Sequence, residues 1–243
     1  MDITEGTLLD GRLRYMQPRE GFRSGIEPVF LAAAIPVRAD QRILEAGSGS
    51  GATLLCLAAR VPGIAATGVE IDPVLVSLAA ENAVANGLNG LRFVVGDITG
   101  TLEIGLFDHA CANPPYHAPG GTPSPLASRA RAKIAPAGLF VAWIAALARY
   151  LRPNGTLSLI LPAPALPACL EALSAARCGS VMLLPLWPRA GQRAKLVLLR
   201  AVRDGRGAFQ LLPGLILHDA NGFTADAQDI LRGAAALRWA KCA

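Results

Sequence analysis

The run Asn113-Pro114-Pro115-Tyr116 has the residue types needed to hold a planar amino group. Each proline fixes its own φ near about −65° and lacks an amide N–H, so the run is unsuited to a helix interior or a central strand. Each proline also disfavours helical backbone in the residue before it. The run therefore predicts a stiff loop whose amide and carbonyl oxygens accept N–H groups while the tyrosine ring covers a flat face. An ordinary proline-rich loop is the alternative.

A second candidate site is the glycine-rich run at residues 44–51, which contains Gly47, Gly49 and Gly51. It lies between a predicted strand and a predicted helix. Small residues at such a turn let the backbone approach a ligand, and the helix N-terminus presents free N–H groups. The run favours a nucleotide-type cofactor, although a plain turn is also compatible with two glycines.

Acidic residues end the next two predicted strands. Glu70 follows Gly47 by 23 residues, a spacing suited to hydrogen bonds with ribose hydroxyls. Asp97 is placed to accept an adenine amino group while Ile98 packs on the ring, although Asp97 alone is more typical of a cap or turn. A glycine-rich turn, two acids and the Asn-Pro-Pro-Tyr run at four successive strand ends form a stronger joint signal.

The elements that position these residues alternate between strands and helices. The sequence predicts strands at residues 42–46, 65–71, 91–96, 106–112, 156–161, 181–186 and 195–202, and helices at 53–60, 73–86, 138–151 and 167–176. This order predicts an α/β fold with a Rossmann-like sheet of seven strands, mostly parallel, and helices on both faces. The last two strands have no helix between them, so one of them is expected to be antiparallel.

The chain is expected to form a single domain. Residues 1–40 are predicted to form an N-terminal hairpin, around Asp10-Gly11, and a helix within 22–39; residues 41–202 form the core; residues 203–243 form a C-terminal appendage. A tight turn is predicted at residues 152–155, before the fifth core strand.

Composition limits the class of protein. Of the 243 residues, 52% are hydrophobic and 17% charged, which argues against disorder. No stretch approaches the ~18 apolar residues of a membrane span, and no signal peptide is evident. The five scattered cysteines disfavour a disulfide framework or a metal site and are consistent with the cytoplasm. A net charge of +5 favours a polyanionic partner such as RNA, but only weakly.

Over residues 22–202 the order of these motifs resembles the class I methyltransferases that use S-adenosyl-L-methionine and carry an Asn-Pro-Pro-Tyr motif. In that family the glycine-rich turn holds the methionine moiety and the two acids hold the ribose and the adenine. An NAD site fits less well, because the motif has no role in hydride transfer. The resemblance implies a cofactor-binding set of Arg23, Gly25, Glu45, Gly47, Gly49, Glu70, Ile71, Asp97, Ile98 and Asn113.

Three branches of this family share the motif. Release-factor glutamine methyltransferases have a helical domain before the glycine-rich run, for which about 43 residues leave little room. Ribosomal guanine methyltransferases have a second copy of the domain, and this chain has no repeat. Residues 21–32 and the tail at 212–225 resemble bacterial tRNA adenine-N6 methyltransferases acting near the anticodon, with Glu27 in place of the usual Asp. A catalytically dead methyltransferase-fold protein that binds RNA is the non-enzymatic alternative.

The chemistry of an aromatic amine suggests the roles of the motif. Its lone pair is delocalised into the ring, so acceptors on both N–H groups assist attack on a methyl group. We expect Asn113 and the Pro114 carbonyl to supply these acceptors and Tyr116 to stack on the base. His117 is expected to be structural or to face the substrate.

Two basic segments are candidates for contacts with RNA. Arg129, Arg131 and Lys133 follow the motif closely and are the stronger candidates for phosphate contacts. A second group of cations lies within residues 189–206. A solvated basic surface is the alternative for either segment.

Overall fold

An N-terminal hairpin precedes the main sheet in the computed structural model, which describes residues 2–20, 24–114 and 137–239. Strands β1 (Ile3–Leu8) and β2 (Leu13–Pro18) pair antiparallel. Leu9, Asp10 and Gly11 have φ angles of 52°, 57° and 86° and make the turn. Glycine and aspartate adopt left-handed backbone more easily than most residues. The predicted hairpin is confirmed.

Apolar segments alternate with helices through the rest of the chain. The body of the main sheet consists of β3 (Arg42–Ala46), β4 (Ala65–Glu70), β5 (Leu91–Val95), β6 (Phe107–Ala112), β7 (Leu151–Pro162), β8 (Cys178–Trp187) and β9 (Leu196–Arg203). The helices are α1 (Glu27–Ala34), α2 (Ala52–Arg60), α3 (Pro73–Ala85), α4 (Ala137–Tyr150), α5 (Leu166–Ala175) and α6 (Ala225–Leu231). None of these helices has both the length and the apolar character to cross a bilayer.

The main sheet has the order β8-β9-β7-β6-β3-β4-β5. Strand β9 is antiparallel to both of its neighbours, and the other pairs are parallel. This confirms the predicted Rossmann-like sheet and its antiparallel strand. The sheet has nine strands, however, because β10 (Gln210–Leu211) and β11 (Leu215–Ile216) add to the outer side of β8. A strand of two residues has no alternation that a sequence pattern can reveal.

The prediction of a tight turn at residues 152–155 is wrong, because β7 runs through these residues. Phe107 of β6 pairs with Leu151, and His109 pairs with Thr156. Strand β7 therefore advances five residues while β6 advances two. Asn154 takes up part of the extra length with a φ of 62°. Pairing on both sides of the irregularity makes it a bulge within one strand.

The core lies on both faces of the sheet. Helices α1, α2 and α6 pack with the hairpin on one face, and α4 and α5 pack on the other. Helix α1 is shorter than predicted and is followed by Ile35 and then Pro36, whose ring cannot continue a helix. The C-terminal segment also contacts α1: the Leu237 N–H donates to the Ala33 carbonyl at 2.8 Å, and the Trp239 indole donates to the Ala34 carbonyl at 2.8 Å.

Two carboxamides, of Asn82 in α3 and of Asn86 directly after it, attach the hairpin to the rest of the domain. Asn82 accepts the Met16 N–H at 2.8 Å and donates to the Met16 carbonyl at 2.8 Å. Asn86 binds the backbone N–H and carbonyl of Arg14 in the same way, at 2.9 and 2.8 Å. Residues four apart share one face of a helix, and residues two apart share one side of a strand. The two side chains therefore act as a neighbouring strand edge for β2.

We predict that Asn82→Ala lowers the free energy of unfolding by about 2–4 kcal/mol, because it leaves buried backbone groups without partners. Asn82 is fully buried and also donates to the Ser50 carbonyl at 3.0 Å. The matched control is Asn86→Ala, for which we expect a loss of about 1 kcal/mol since water can reach that site. Urea unfolding measures both losses. Equal losses of unfolding free energy in the two variants would contradict the conclusion that the buried Asn82 is the main attachment of the hairpin.

Candidate active site

The carboxyl ends of three parallel strands stop level with one another. Ala46 of β3 pairs with Val69 of β4 on one side and with Ala112 of β6 on the other. The residues that follow are three of the predicted site residues: Gly47, Glu70 and Asn113. Neighbouring strands lie about 4.8 Å apart, so this register brings the three positions together at one sheet edge.

Gly47 begins the turn between β3 and α2. Its N–H donates to the Val69 carbonyl at 2.8 Å, and its φ is 65°, a conformation that favours glycine. A Cβ at this position would lie 2.6 Å from the ring of Trp143 in α4. Gly49 also has a positive φ, of 53°, but a Cβ there would meet no atom within 4 Å. Gly47 is exposed and Gly49 half-buried, so a ligand can approach the backbone at both glycines, whereas an added side chain would meet a neighbour at Gly47 only.

Glu70 is held in place by two backbone groups. One carboxylate oxygen accepts the Gly49 N–H at 3.0 Å, and the other accepts the Asp72 N–H at 3.1 Å. The side chain is half-buried. Since each carboxylate oxygen has a second lone pair, Glu70 retains acceptor capacity for two hydroxyl groups.

The end of the third predicted strand carries Asp97 and Ile98, which differ in exposure. Asp97 is exposed, and its Oδ1 accepts the N–H and the hydroxyl of Thr99 at 2.8 and 2.7 Å. Ile98 is only 3% exposed and packs in the core, whereas Ile71 is 68% exposed. At this edge Ile71 therefore offers the larger open apolar surface to a planar ring.

Glu45 is a buried acid beneath the glycine-rich turn. It is 2% exposed, and its Oε2 has no hydrogen-bond partner within the described residues. The pKa of Glu45 is raised to about 8: burial is the main cause, a hydrogen bond with Thr53 opposes it, and the Glu70 charge adds a smaller rise. A buried acceptor without a partner is costly, so the site favours a donor or a cation at this position.

A hydroxyl network missed by the sequence analysis supports the turn. The Tyr15 hydroxyl lies 2.6 Å from Ser50 Oγ and 2.8 Å from Ser24 Oγ. Asn82 binds the Ser50 carbonyl, so the hairpin and α3 both hold the end of the glycine-rich turn. Ser24 precedes Gly25, which is exposed. The only local signal was the alternation of Leu13 and Tyr15 in β2, which indicates burial but no partner.

Part of the predicted site falls outside the described residues. Asn113 is half-buried and Pro114 is buried, directly after β6. The predicted positions that lie outside the described residues are Arg23, Tyr116, His117, Arg129, Arg131 and Lys133. Within the described ranges, no group of three or more histidine, cysteine or acidic side chains is placed to hold a metal ion.

The strand order, the glycine-rich turn and the strand-end acids are those of a class I methyltransferase. The family model of the methyltransferase small domain matches residues 27–163, and the chain belongs to that family. The fold is also similar to that of a predicted O-methyltransferase from Agrobacterium tumefaciens, with a TM-score of 0.72 and 23% identity over 87% of this chain and 98% of that one.

Two curated relatives differ in how much of the chain they match. The tRNA1(Val) (adenine(37)-N6)-methyltransferase of Aeromonas hydrophila is 30% identical over 213 residues, which cover 86% of this chain and 87% of that enzyme. The release factor glutamine methyltransferase of Deinococcus radiodurans is 40% identical over 75 residues, which cover 31% of this chain and 26% of that enzyme.

We predict that the affinity for S-adenosylmethionine rises with pH between pH 6 and 7.5. We assign Glu45 to the cationic amino group of the methionine moiety, and its carboxyl, with a pKa of about 8, must lose its proton for this pairing. The limit is about tenfold per pH unit, since one proton is released on binding. Isothermal titration calorimetry at several pH values measures this slope.

The control for the pH slope is Glu45→Gln, which keeps the shape of the side chain and removes its ionisation. We expect weaker binding with no rise over the same pH range. If this variant retained the slope of the unsubstituted protein, another group would be responsible for the proton release.

Proposed function

We propose that this protein transfers the methyl group of S-adenosylmethionine to the exocyclic N6 of an adenine in tRNA, near the anticodon. The observation that carries the proposal is the register that sets Asn113 beside Gly47 at the sheet edge. An acceptor of N–H groups thereby lies next to the turn that a cofactor of this fold class occupies.

The described residues fit the cofactor in four respects. Glu45 offers a buried acceptor for its amino group, Gly49 an open backbone, Glu70 two acceptors for ribose hydroxyls, and Ile71 an exposed apolar surface for adenine. The bound cofactor supplies an electrophilic methyl group on a sulfonium ion. Within the described residues only Oδ1 of Asp97 accepts hydrogen bonds, and we assign Oδ2 to the adenine amino group.

Asn113 and Pro114 then have one task in the reaction. The Asn113 side-chain oxygen and the Pro114 carbonyl accept the two N6 hydrogens, which favours a pyramidal nitrogen and stabilises the positive charge that develops on it. Both residues follow a strand paired on each side, so their position is fixed before the substrate arrives. We assign stacking on the base to Tyr116, a contact worth about 1–3 kcal/mol.

The comparisons favour adenine in tRNA over the other acceptors that use this motif. The match to the Aeromonas enzyme runs over most of both chains, whereas the match to the release-factor enzyme covers about a quarter of that protein. An unstacked base of the anticodon loop enters such a site at less cost than a paired base. We infer a cytoplasmic enzyme, since that is where its tRNA substrate is found.

We also infer that the chain acts as one methyltransferase domain. The hairpin binds α3 through Asn82, and the C-terminal segment binds α1 through Leu237 and Trp239. Both flanking segments thus contribute contacts to the sheet that carries the site.

We predict that Asn113→Ala lowers kcat by about 100-fold or more, because one preorganised acceptor of the transition state is lost. Cofactor affinity should change by no more than about threefold, because cofactor contacts come mainly from the strands before β6. The matched control is Asn89→Ala, an exposed asparagine at the opposite sheet edge, which should keep full activity. Near-normal turnover by Asn113→Ala would refute the assignment.

The substrate is tested by offering labelled S-adenosylmethionine with undermethylated tRNA, ribosomal RNA and release factor in parallel. We expect label in tRNA alone, recovered as N6-methyladenosine after digestion to nucleosides. Label in ribosomal RNA or in release factor would show that this molecule, and not tRNA, is the substrate. Label in none of them would favour a non-catalytic protein.

A further inference from the structure

The eight residues between β8 and β9 form a basic loop at the same sheet edge as the candidate site. Residues 188–195, here called the basic loop, contain three cations and no acid: Arg189, Arg193 and Lys195. All three side chains are exposed. Since β8 runs parallel to β7 and β6, its end lies at the edge where Asn113 lies.

The strand register gives the distance between the basic loop and the acceptor position. Ala112 pairs with Leu159, and Leu159 pairs with Leu199, so Lys195 lies three residues beyond the level of Asn113. One strand separates β6 from β9. With about 3.3 Å per residue and about 4.8 Å per strand, the Lys195 end of the loop lies on the order of 15 Å from Asn113. Nucleotides that flank a bound base can span this distance.

The candidate site and the basic loop occupy opposite halves of the edge. The predicted cofactor residues follow β3, β4 and β5, on one side of Asn113, whereas the basic loop follows β8 on the other. The acids Glu45, Glu70 and Asp97 all belong to the first half. The half that the cofactor residues leave open is the one with exposed cations.

The cations of the basic loop differ in their pairing with acids from the cations at the opposite edge of the sheet, where the parallel strands begin. The described ion pairs all lie at that opposite edge: Arg152–Asp108, Arg177–Asp204 and Arg203–Asp204. Within the described residues, the loop cations have no acidic partner, and residues 115–136 contain no aspartate or glutamate. Unpaired exposed cations are available to phosphate groups without first breaking an ion pair.

The base of the basic loop is fixed by a neighbouring hairpin. Strands β12 (His218–Asp219) and β13 (Gly222–Phe223) pair antiparallel, and the His218 and Phe223 rings stack at 4.4 Å. The His218 N–H donates to the Pro188 carbonyl at 3.1 Å, and Arg189 donates to the Asp219 carbonyl at 2.5 Å. These contacts fix Pro188 and Arg189 at the base of the loop before any partner binds, which lowers the cost of ordering it.

We propose that the basic loop binds the phosphate backbone of the tRNA next to the adenine held at Asn113. This inference rests on the proposed function and adds the surface that positions the RNA. The loop cations then contribute to RNA affinity and have no part in cofactor binding or in the methyl transfer itself.

The test compares two double variants that remove equal charge. Arg193→Gln with Lys195→Gln alters the basic loop, and Arg38→Gln with Arg206→Gln alters exposed cations at the opposite edge. Fluorescence anisotropy gives the Kd of each variant for unmodified tRNA between 50 and 200 mM salt. Calorimetry gives the Kd for S-adenosylmethionine, and circular dichroism confirms that each variant is folded.

We expect the loop variant to weaken tRNA binding about tenfold at 150 mM salt and to reduce the salt slope by about 1.4, since each phosphate contact to a single strand contributes about 0.7. Cofactor affinity should be unchanged, and the opposite-edge variant should lose less than about twofold. Equal losses in the two variants, or an unchanged slope in the loop variant, would overturn the inference while tRNA methylation persists. If the unsubstituted protein neither bound nor methylated tRNA, the proposed function and this inference would fail together.

Discussion

The hydrogen bond from the Gly47 N–H to the Val69 carbonyl is the interaction on which the candidate site depends. It continues the pairing of β3 with β4 for one residue beyond the strand, while the positive φ of Gly47 turns the chain toward α2. A Cβ at Gly47 would lie 2.6 Å from the ring of Trp143, and the left-handed φ also favours glycine at this exit. Because β3 also pairs with β6, the same exit sets the glycine-rich turn beside Asn113.

The hairpin adds a second constraint on the turn, from the side of the chain that precedes the sheet. Asn82 and Asn86 bind β2 as a neighbouring strand would, and Asn82 and Tyr15 also contact Ser50. A buried carboxamide with all of its partners is stabilising, whereas one lost partner leaves an unpaired group. The hairpin and the glycine-rich turn are therefore joined through Asn82 of α3.

Local signals in the sequence predicted most of the strands of the sheet. They could not predict contacts between residues that are far apart in the sequence. Residues 42–46 were predicted with the observed bounds, because an apolar run ends there at a glycine-rich turn. Ile71 and Ile98 each follow a strand-end acid, so their local sequence patterns are the same. Only Ile71 is exposed, however. The contact between Tyr15 and Ser50 joins residues 35 positions apart, and no local pattern encodes such a pair.

The chemistry proposed here also explains why an uncharged residue suits the middle of the sheet edge. On one side of Asn113 lie acids suited to a cationic methyl donor, and on the other lie cations suited to phosphate. A carboxylate at position 113 would repel the RNA backbone and would cost desolvation when a base covered it. An amide oxygen accepts an N–H group without adding charge, and the carbonyl of Pro114 does the same. In the proposed reaction the nitrogen that receives the methyl group thus meets fixed dipoles between two regions of opposite charge, an arrangement that favours the charge developing during transfer over the neutral ground state.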